Sequence, residues 1–386
     1  MAAVGAVLAI TMLAAGCQPA PTTDAYPDNG GGTNPGWFQA GVLWQGDFGD
    51  PTVVREGNVY YAYSSPTGGR YLPVLTSTDL QHWLVHANWS PVPQEILASN
   101  QSDVDKRNLN DGLVKPASWG QVNNTTGPWI NRDLWAPGVI KIGSTWFAYH
   151  AVRVSNAGDD PNNFGRFCLT VASATAPAGP FRDISGNGPI QCQDAGHDPS
   201  GSIDPSPYFD PSTNKYYLLW KAAGMIGVRE SALMAVELGS NGFPVPGANP
   251  VDLLETNRAD PWEGGTIENP SKVTFNGWTY LFYSGNSSLP LTANNLSVYA
   301  TGYAICYFGP TAPCSRVQST PLIKNFGDVV QGPGGSSGFV TADNQLRVAY
   351  AYYWAGETRV PAPRRMKIAK IVQNPADGTL TFDGNV

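Results

Sequence analysis

The chain has 386 residues, a formal charge of −7, 14% charged and 11% aromatic residues. That acidic balance, with no basic patch along the sequence, excludes nucleic acid as a partner, because neutralising phosphates needs clustered Lys and Arg. Glycine and proline are abundant and no long stretch carries a 3.6-residue period, which excludes helical architectures and points to many short strands joined by tight turns.

Residues 1–16 are uncharged and mostly apolar, too short to cross a bilayer comfortably. They end in Leu13-Ala-Ala-Gly16-Cys17, which resembles the lipobox of bacterial lipoproteins, although the usual basic start is missing. The expectation is an exported protein with a signal over 1–17, held to a membrane only by a lipid on Cys17. An ordinary secretory signal is the other reading. Residues 18–36 are rich in Gly, Pro and Thr and read as a flexible linker. From Trp37 to residue 386 the strand pattern runs unbroken, as one domain. Of the five cysteines, pairing neighbours gives Cys168-Cys192 and Cys306-Cys314 and leaves Cys17 over. This is the preferred one of three connectivities.

Five times an X-Pro pair opens a short strand, and in most copies a glycine turn and an aromatic strand follow. The copies begin at Asp50-Pro51, Ala136-Pro137, Asp204-Pro205, Asn269-Pro270 (preceded by Glu268) and Gly332-Pro333. The later prolines are spaced by 68, 65 and 63 residues. A period of that size with several strands per unit predicts an all-β, five-bladed β-propeller, whose default state is a monomer. The longest interval, 84–131, predicts long loops over one face. Thr76-Ser-Thr-Asp79-Leu-Gln-His-Trp83 reads as an outer hairpin, with Trp83 wedged between blades.

Three openings bear a carboxylate: Asp50, Asp204 and Glu268. Equivalent positions in a radial array point toward one axis, so the repeat is expected to gather these three acids, in register, into one place. Three acids in a bowl of aromatics fit glycoside hydrolysis. Inversion needs a protonated acid for the leaving oxygen and an ionised base for water, about 6.5–9.5 Å apart. A third carboxylate nearby raises the acid's pKa. Single Asp-Pro pairs carry little weight, since Asp160-Pro161, Asp198-Pro199, Asp210-Pro211 and Asp260-Pro261 are also present and Asp-Pro opens many turns.

The segments Asp50-Pro-Thr-Val-Val, Leu134-Trp-Ala-Pro137, Ser202-Ile-Asp204-Pro-Ser and Glu268-Asn-Pro-Ser resemble glycoside hydrolase family 43. The resemblance covers about residues 45–355. It implies five-bladed propellers that invert arabinose- and xylose-containing glycosides. It further implies Asp50 as general base, Asp204 as pKa modulator and orienter, Glu268 as general acid, and Trp135 beside the sugar. Two departures stand out. Asn269 replaces the usual small residue after the acid. Gly332-Pro-Gly-Gly335 replaces Gly-Pro-Gly-His, whose histidine helps hold a central calcium or touches sugar. No protein-ligated metal is assigned, no cofactor is required, and an axial calcium stays open as an alternative to none. The Gly-Gly form and the short Cys306–Cys314 loop resemble exo-acting arabinofuranosidases. The expected partner is an arabinose- or xylose-containing oligo- or polysaccharide.

Competing signals are weaker. Gly334-Gly-Ser336-Ser-Gly338 matches the serine-hydrolase elbow but leads into a strand, not a helix. His82 and His86 have zinc spacing without the adjacent glutamate. Glu263 lies close enough in sequence to rival Glu268 as the acid, its plainer reading being a loop carboxylate. β-Xylosidase and galactofuranosidase activities remain within the family reading. The alternative from another class is a glycan-binding propeller lipoprotein without catalysis.

Overall fold

A computed structural model describes residues 41, 43–98, 109–120, 134–154, 166–193, 201–224, 228–289, 297–327, 329–355 and 363–386. The signal, Cys17 and the linker fall outside the described residues. Five sheets, all antiparallel but for one added strand, follow one another along the chain. Blade one holds β1 (Thr52–Glu56), β2 (Val59–Tyr63), β3 (Val74–Ser77) and β4 (Leu84–Val85). A short helix α1 (Gln94–Ala98) and β5 (Leu113–Lys115) come next. Blade two is built on β6 (Leu134–Ile142), β7 (Thr145–Arg153), β8 (Phe167–Ala174) and β9 (Phe181–Asp183). Blade three comprises β10 (Ser202–Asp210), β11 (Lys215–Ala222), β12 (Ala232–Leu238) and β13 (Val251–Glu255). Blade four comprises β14 (Ile267–Phe275), β15 (Trp278–Gly285), β16 (Ala300–Ile305) and β17 (Ser315–Arg316). Blade five comprises β18 (Val330–Val340), β19 (Leu346–Trp354), β20 (Arg365–Gln373) and β21 (Leu380–Asn385).

The inner hairpins close on residues that tolerate a left-handed backbone. Between β14 and β15 both turn residues, Asn276 (φ 46°) and Gly277 (φ 83°), have positive φ, as a two-residue hairpin turn of the favoured hand requires. The answering strands read as continuous apolar runs because each blade is covered on both faces. In β11, Leu218 and Trp220 point into a cluster with blade two, while Tyr217 and Leu219 point into a cluster with blade four. Similar clusters fill the one–two, four–five and five–one interfaces, so the hydrophobic core is divided among five seams. Trp83 lies in the five–one seam, beside Phe339 and Ile368.

Among the described residues the ring closes without exchanging strands. The Ser337 hydroxyl donates to the Pro51 carbonyl (2.8 Å), and the Ala342 N–H donates to the Tyr60 hydroxyl (3.1 Å), which ties blade five to blade one. Part of the long 84–131 interval departs from the expected loops. β5 pairs in parallel with β9 and adds a fifth, outermost strand to blade two. Glu95 of α1 is paired to Arg182 of β9 at 2.5 and 3.0 Å. Buried Asp111 fastens the start of β5 by accepting the N–H groups of Tyr71, Leu72 and Leu113. Disulfides join Cys168 to Cys192 and Cys306 to Cys314. Among the described residues no helix is long and apolar enough to cross a membrane.

Candidate active site

The innermost strand of every blade is interrupted at the same place. Pairing skips two residues between Trp135 and Gly138, Ile203 and Ser206, Glu268 and Ser271, and Gly334 and Ser337. In blade one the Ser65 N–H bonds the Gly49 carbonyl and Thr52 pairs with Tyr63, which leaves Asp50 and Pro51 in the same gap. The first skipped residue always has positive φ: Asp50 (52°), Ala136 (43°), Asp204 (56°), Asn269 (50°) and Gly335 (59°). Such bulges re-aim side chains, and holding non-glycine residues there costs about 1–3 kcal/mol each. All five residues, with the prolines or serine that follow them, line one axial cavity to which every blade contributes.

This register corrects the sequence alignment in two places. Asn269, not Glu268, is equivalent to Asp50 and Asp204. Glu268 stands one residue earlier, level with Gly49, Trp135, Ile203 and Gly334. In blade five the equivalent pair is Gly335-Ser336, because Gly332-Pro333 belongs to an additional irregularity between Gln331 and Gly334. Two carboxylates therefore line the axial cavity, and the third leaves its strand from the adjoining position.

Asp50 is held by three donors. Arg364 spans it with both guanidinium nitrogens, 2.7 Å to Oδ1 and 2.7 Å to Oδ2, and the Ser65 hydroxyl adds 2.7 Å to Oδ2. A carboxylate offers about four acceptor sites; among the described residues the one left without a donor is on Oδ1. Opposing charge raises the guanidinium pKa further despite its burial. Two glycines make room here. A Cβ on Gly335 would stand 2.7 Å from Asp50 Oδ1, and one on Gly49 would stand 2.2 Å from an Arg364 nitrogen.

Asp204 is buried and accepts the Asn269 N–H at 3.0 Å. Burial first, then the charge of Glu268, pushes its carboxyl up to about 8, against the pull of Lys221 and that N–H. Glu268 is gripped at both oxygens: Lys221 Nζ donates to Oε2 at 2.8 Å, and the Tyr299 hydroxyl lies 2.6 Å from Oε1. Burial alone would depress the Lys221 ammonium, but Glu268 and Asp204 outweigh it and hold it above its usual value. Tyr299 also lies 2.5 Å from Asn269 Oδ1, and its ring packs where a Cβ on Gly334 would fall. Lys221, Tyr299 and Arg364 were not among the residues singled out from sequence. The only local signal for Lys221 was a lysine ending an apolar strand.

Trp135 is 36% exposed and stacks on Phe167 with centroids 4.0 Å apart, at the register position of Glu268. Glu263 is wholly buried. Arg316 contacts both its oxygens (2.6 and 2.9 Å), Tyr283 donates to it at 3.0 Å and the Asn257 N–H at 2.7 Å. It fastens a loop and has no face open to a ligand. Ser336 lies within β18, with no helix behind it, and His82 is an exposed partner of Asp79. The donor set does not fit a protein-ligated axial calcium, which takes six to eight oxygens. Asp50 is committed to Arg364, and the carbonyls of Pro51 and Pro137 already accept the Ser337 and Thr52 hydroxyls.

The family model described as Glycosyl hydrolases family 43 matches residues 113–380. The chain belongs to glycoside hydrolase family 43. It is a glycosidase. The match takes in Trp135, Asp204 and Glu268, while Asp50 lies on the blade before it. A curated relative, the extracellular endo-α-(1→5)-L-arabinanase 1 of Bacillus subtilis (strain 168), is 23% identical over 308 residues, or 78% of this chain and 79% of that one. A thermostable family-43 glycoside hydrolase superposes with a TM-score of 0.63 at 22% identity, covering 90% of this chain and 95% of the other. The Cellvibrio cellulosa α-L-arabinanase complexed with arabinohexaose gives 0.59 at 16%, covering 88% and 96%. Xylan β-1,4-xylosidase from Bacillus halodurans gives 0.60 at 17%, covering 89% of this chain and 56% of that one. These structural likenesses carry the family 43 fold, and two disulfides fit an exported protein.

Proposed function

We propose that this enzyme is an inverting, exo-acting α-L-arabinofuranosidase that releases arabinofuranose from arabinan or arabinose-decorated polysaccharide. The observation that carries the mechanism is that three carboxylates on blades one, three and four are held in three different surroundings. Asp50, fixed by Arg364 and Ser65 with one acceptor site left on Oδ1, takes a proton from water as general base. Glu268, on the longer arm, gives a proton to the leaving oxygen. Asp204, buried beside it, raises the cost of a second negative charge and orients the pair. Trp135 offers its exposed ring to the apolar face of the sugar.

The test uses aryl α-L-arabinofuranoside, β-D-xyloside and β-D-galactofuranoside, with the anomer of the first product followed by NMR. Glu268→Gln should lower turnover of the preferred sugar ~10²–10⁴-fold. An unchanged rate in this variant, or a product of retained configuration, overturns the mechanism. A second reading, endo-action on α-1,5-arabinan, is favoured by the similarity to the Bacillus subtilis endo-arabinanase. Linear arabinan separates the two: monomer accumulating from the first minutes supports exo-action, and a ladder of oligomers supports endo-action.

A further inference from the structure

At three of the bulges a backbone N–H bonds to the preceding blade, and the second strand of every blade carries one recurring position beside its bulge. This position pairs across from the residue just before the bulge: Ser65, Ala151, Lys221, Ser284 and Ala351. Ser65 accepts the Ala136 N–H at 2.9 Å, and Ser284 accepts the Gly335 N–H at 2.9 Å. Their hydroxyls stitch one blade to the next. Blade three differs. There Asp204 accepts the Asn269 N–H (3.0 Å), so the recurring position is released from stitching. It carries Lys221, whose ammonium crosses to blade four and bonds Glu268 Oε2 at 2.8 Å, with side chains only 10% and 16% exposed.

We propose that Lys221 is a positioning residue for the acid: it holds Glu268 by Oε2 and keeps the Asp204–Glu268 pair to a single proton, leaving Oε1 beside Tyr299 as the one Glu268 oxygen able to take that proton from Asp204 and pass it on. This rests on the reading of Glu268 as the acid. The groups facing Glu268 are Lys221 from β11, Asp204 from β10 and the Tyr299 hydroxyl ahead of β16. Asp50 acts from farther off, ahead of β1, and its charge is met by Arg364 ahead of β20. Asp47 bonds the Arg364 backbone N–H. Locally, then, two carboxylates face one cation, and one proton makes the trio neutral. An ammonium only donates, so Oε2 cannot carry that proton while Lys221 is bound. Oε1 can. A proton there points to the Tyr299 oxygen, and the Tyr299 hydrogen then turns to Asn269 Oδ1, 2.5 Å away. Two acceptors around one phenol are both satisfied in that arrangement.

The experiment is the pH profile of kcat/KM on a glycoside with a poor leaving group, for wild type, Lys221→Met, Lys221→Arg and Glu268→Gln. Without the cation the pair holds its proton more tightly, so the alkaline limb of Lys221→Met should move up by about 1–3 pH units. Its kcat should fall about 10–100-fold as Glu268 loses its tether. Lys221→Arg should restore the limb. A limb left in place in folded Lys221→Met, or one moved equally in Lys221→Arg, overturns the proposal. Loss of the limb in Glu268→Gln identifies the acid independently, and its persistence there sinks the acid assignment instead. Should Lys221→Met fail to fold, Lys221→Gln is read in the same way, with circular dichroism as the check.

Discussion

Gly49→Ala tests the base without replacing a charged group. The residue precedes Asp50 and has no positive φ, so alanine carries no backbone penalty there. Its Cβ, however, would meet the Arg364 guanidinium at 2.2, 2.5 and 2.6 Å, where ordinary contact begins near 3.4 Å. The guanidinium must retreat by about 1.2 Å, which takes a 2.7 Å hydrogen bond beyond bonding range. At least one of the two bonds to Asp50 is lost, and a bond to a charged group is worth about 1.5–3 kcal/mol. Fully expressed in the transition state, that is roughly a 10–100-fold fall in kcat. KM should change little, since the substrate's own contacts stay. Initial rates on the preferred aryl glycoside measure it, with melting temperature as the control for folding. A variant whose kcat stays within twofold of wild type would refute the idea that Arg364 fixes the base. A faster variant would show instead that Arg364 obstructs it.

Two further outcomes follow from the other carboxylates. Asp204 holds its proton up to about 8 in the folded protein and near 3.8 when unfolded, so the stability linked to that proton is full below 3.8 and drains away as pH rises toward 8. Asp204→Asn removes the titration, and its melting temperature should gain on wild type between about pH 5 and pH 8; a constant difference would disprove the linkage. Glu263→Gln leaves Arg316 facing a neutral partner at a fully buried site, which should destabilise the fold by about 3–5 kcal/mol while leaving the pH limbs of turnover in place. Disappearance of the alkaline limb in that variant would return Glu263 to contention as the acid.

The five blades were legible because their punctuation is local. Each X-Pro pair, glycine turn and aromatic strand lies within a few residues, and covering both faces of a blade erases polar alternation from its inner strands. The prolines even held the correct register. Aligned on Pro51, Pro205 and Pro270, the residue matching Asp50 and Asp204 is Asn269, and Glu268 falls one place short. Grouping it with the other two acids by charge overrode what the prolines said. In blade five the same rule misled, since Pro333 sits three residues before the serine that takes the proline's place in the bulge.

The partners of the acids could not be read, because they come from distant parts of the chain. Arg364 reaches Asp50 across 314 residues, Lys221 reaches Glu268 across 47, and Tyr299 across 31. No spacing motif encodes contacts made by ring closure. What the sequence does carry is their negative image. Gly49 and Gly334 occupy the same register position as Glu268, and each is bare because another side chain lies over it: Arg364 over the first, Tyr299 over the second. Blade one thus brings its carboxylate to the axis and leaves the neighbouring position vacant for a cation. Blade four fills that position with the carboxylate and turns an amide to the axis. The one-residue offset separates base from acid in surroundings as well as in place. A guanidinium holds one by both oxygens, and an ammonium and a phenol divide the other between them.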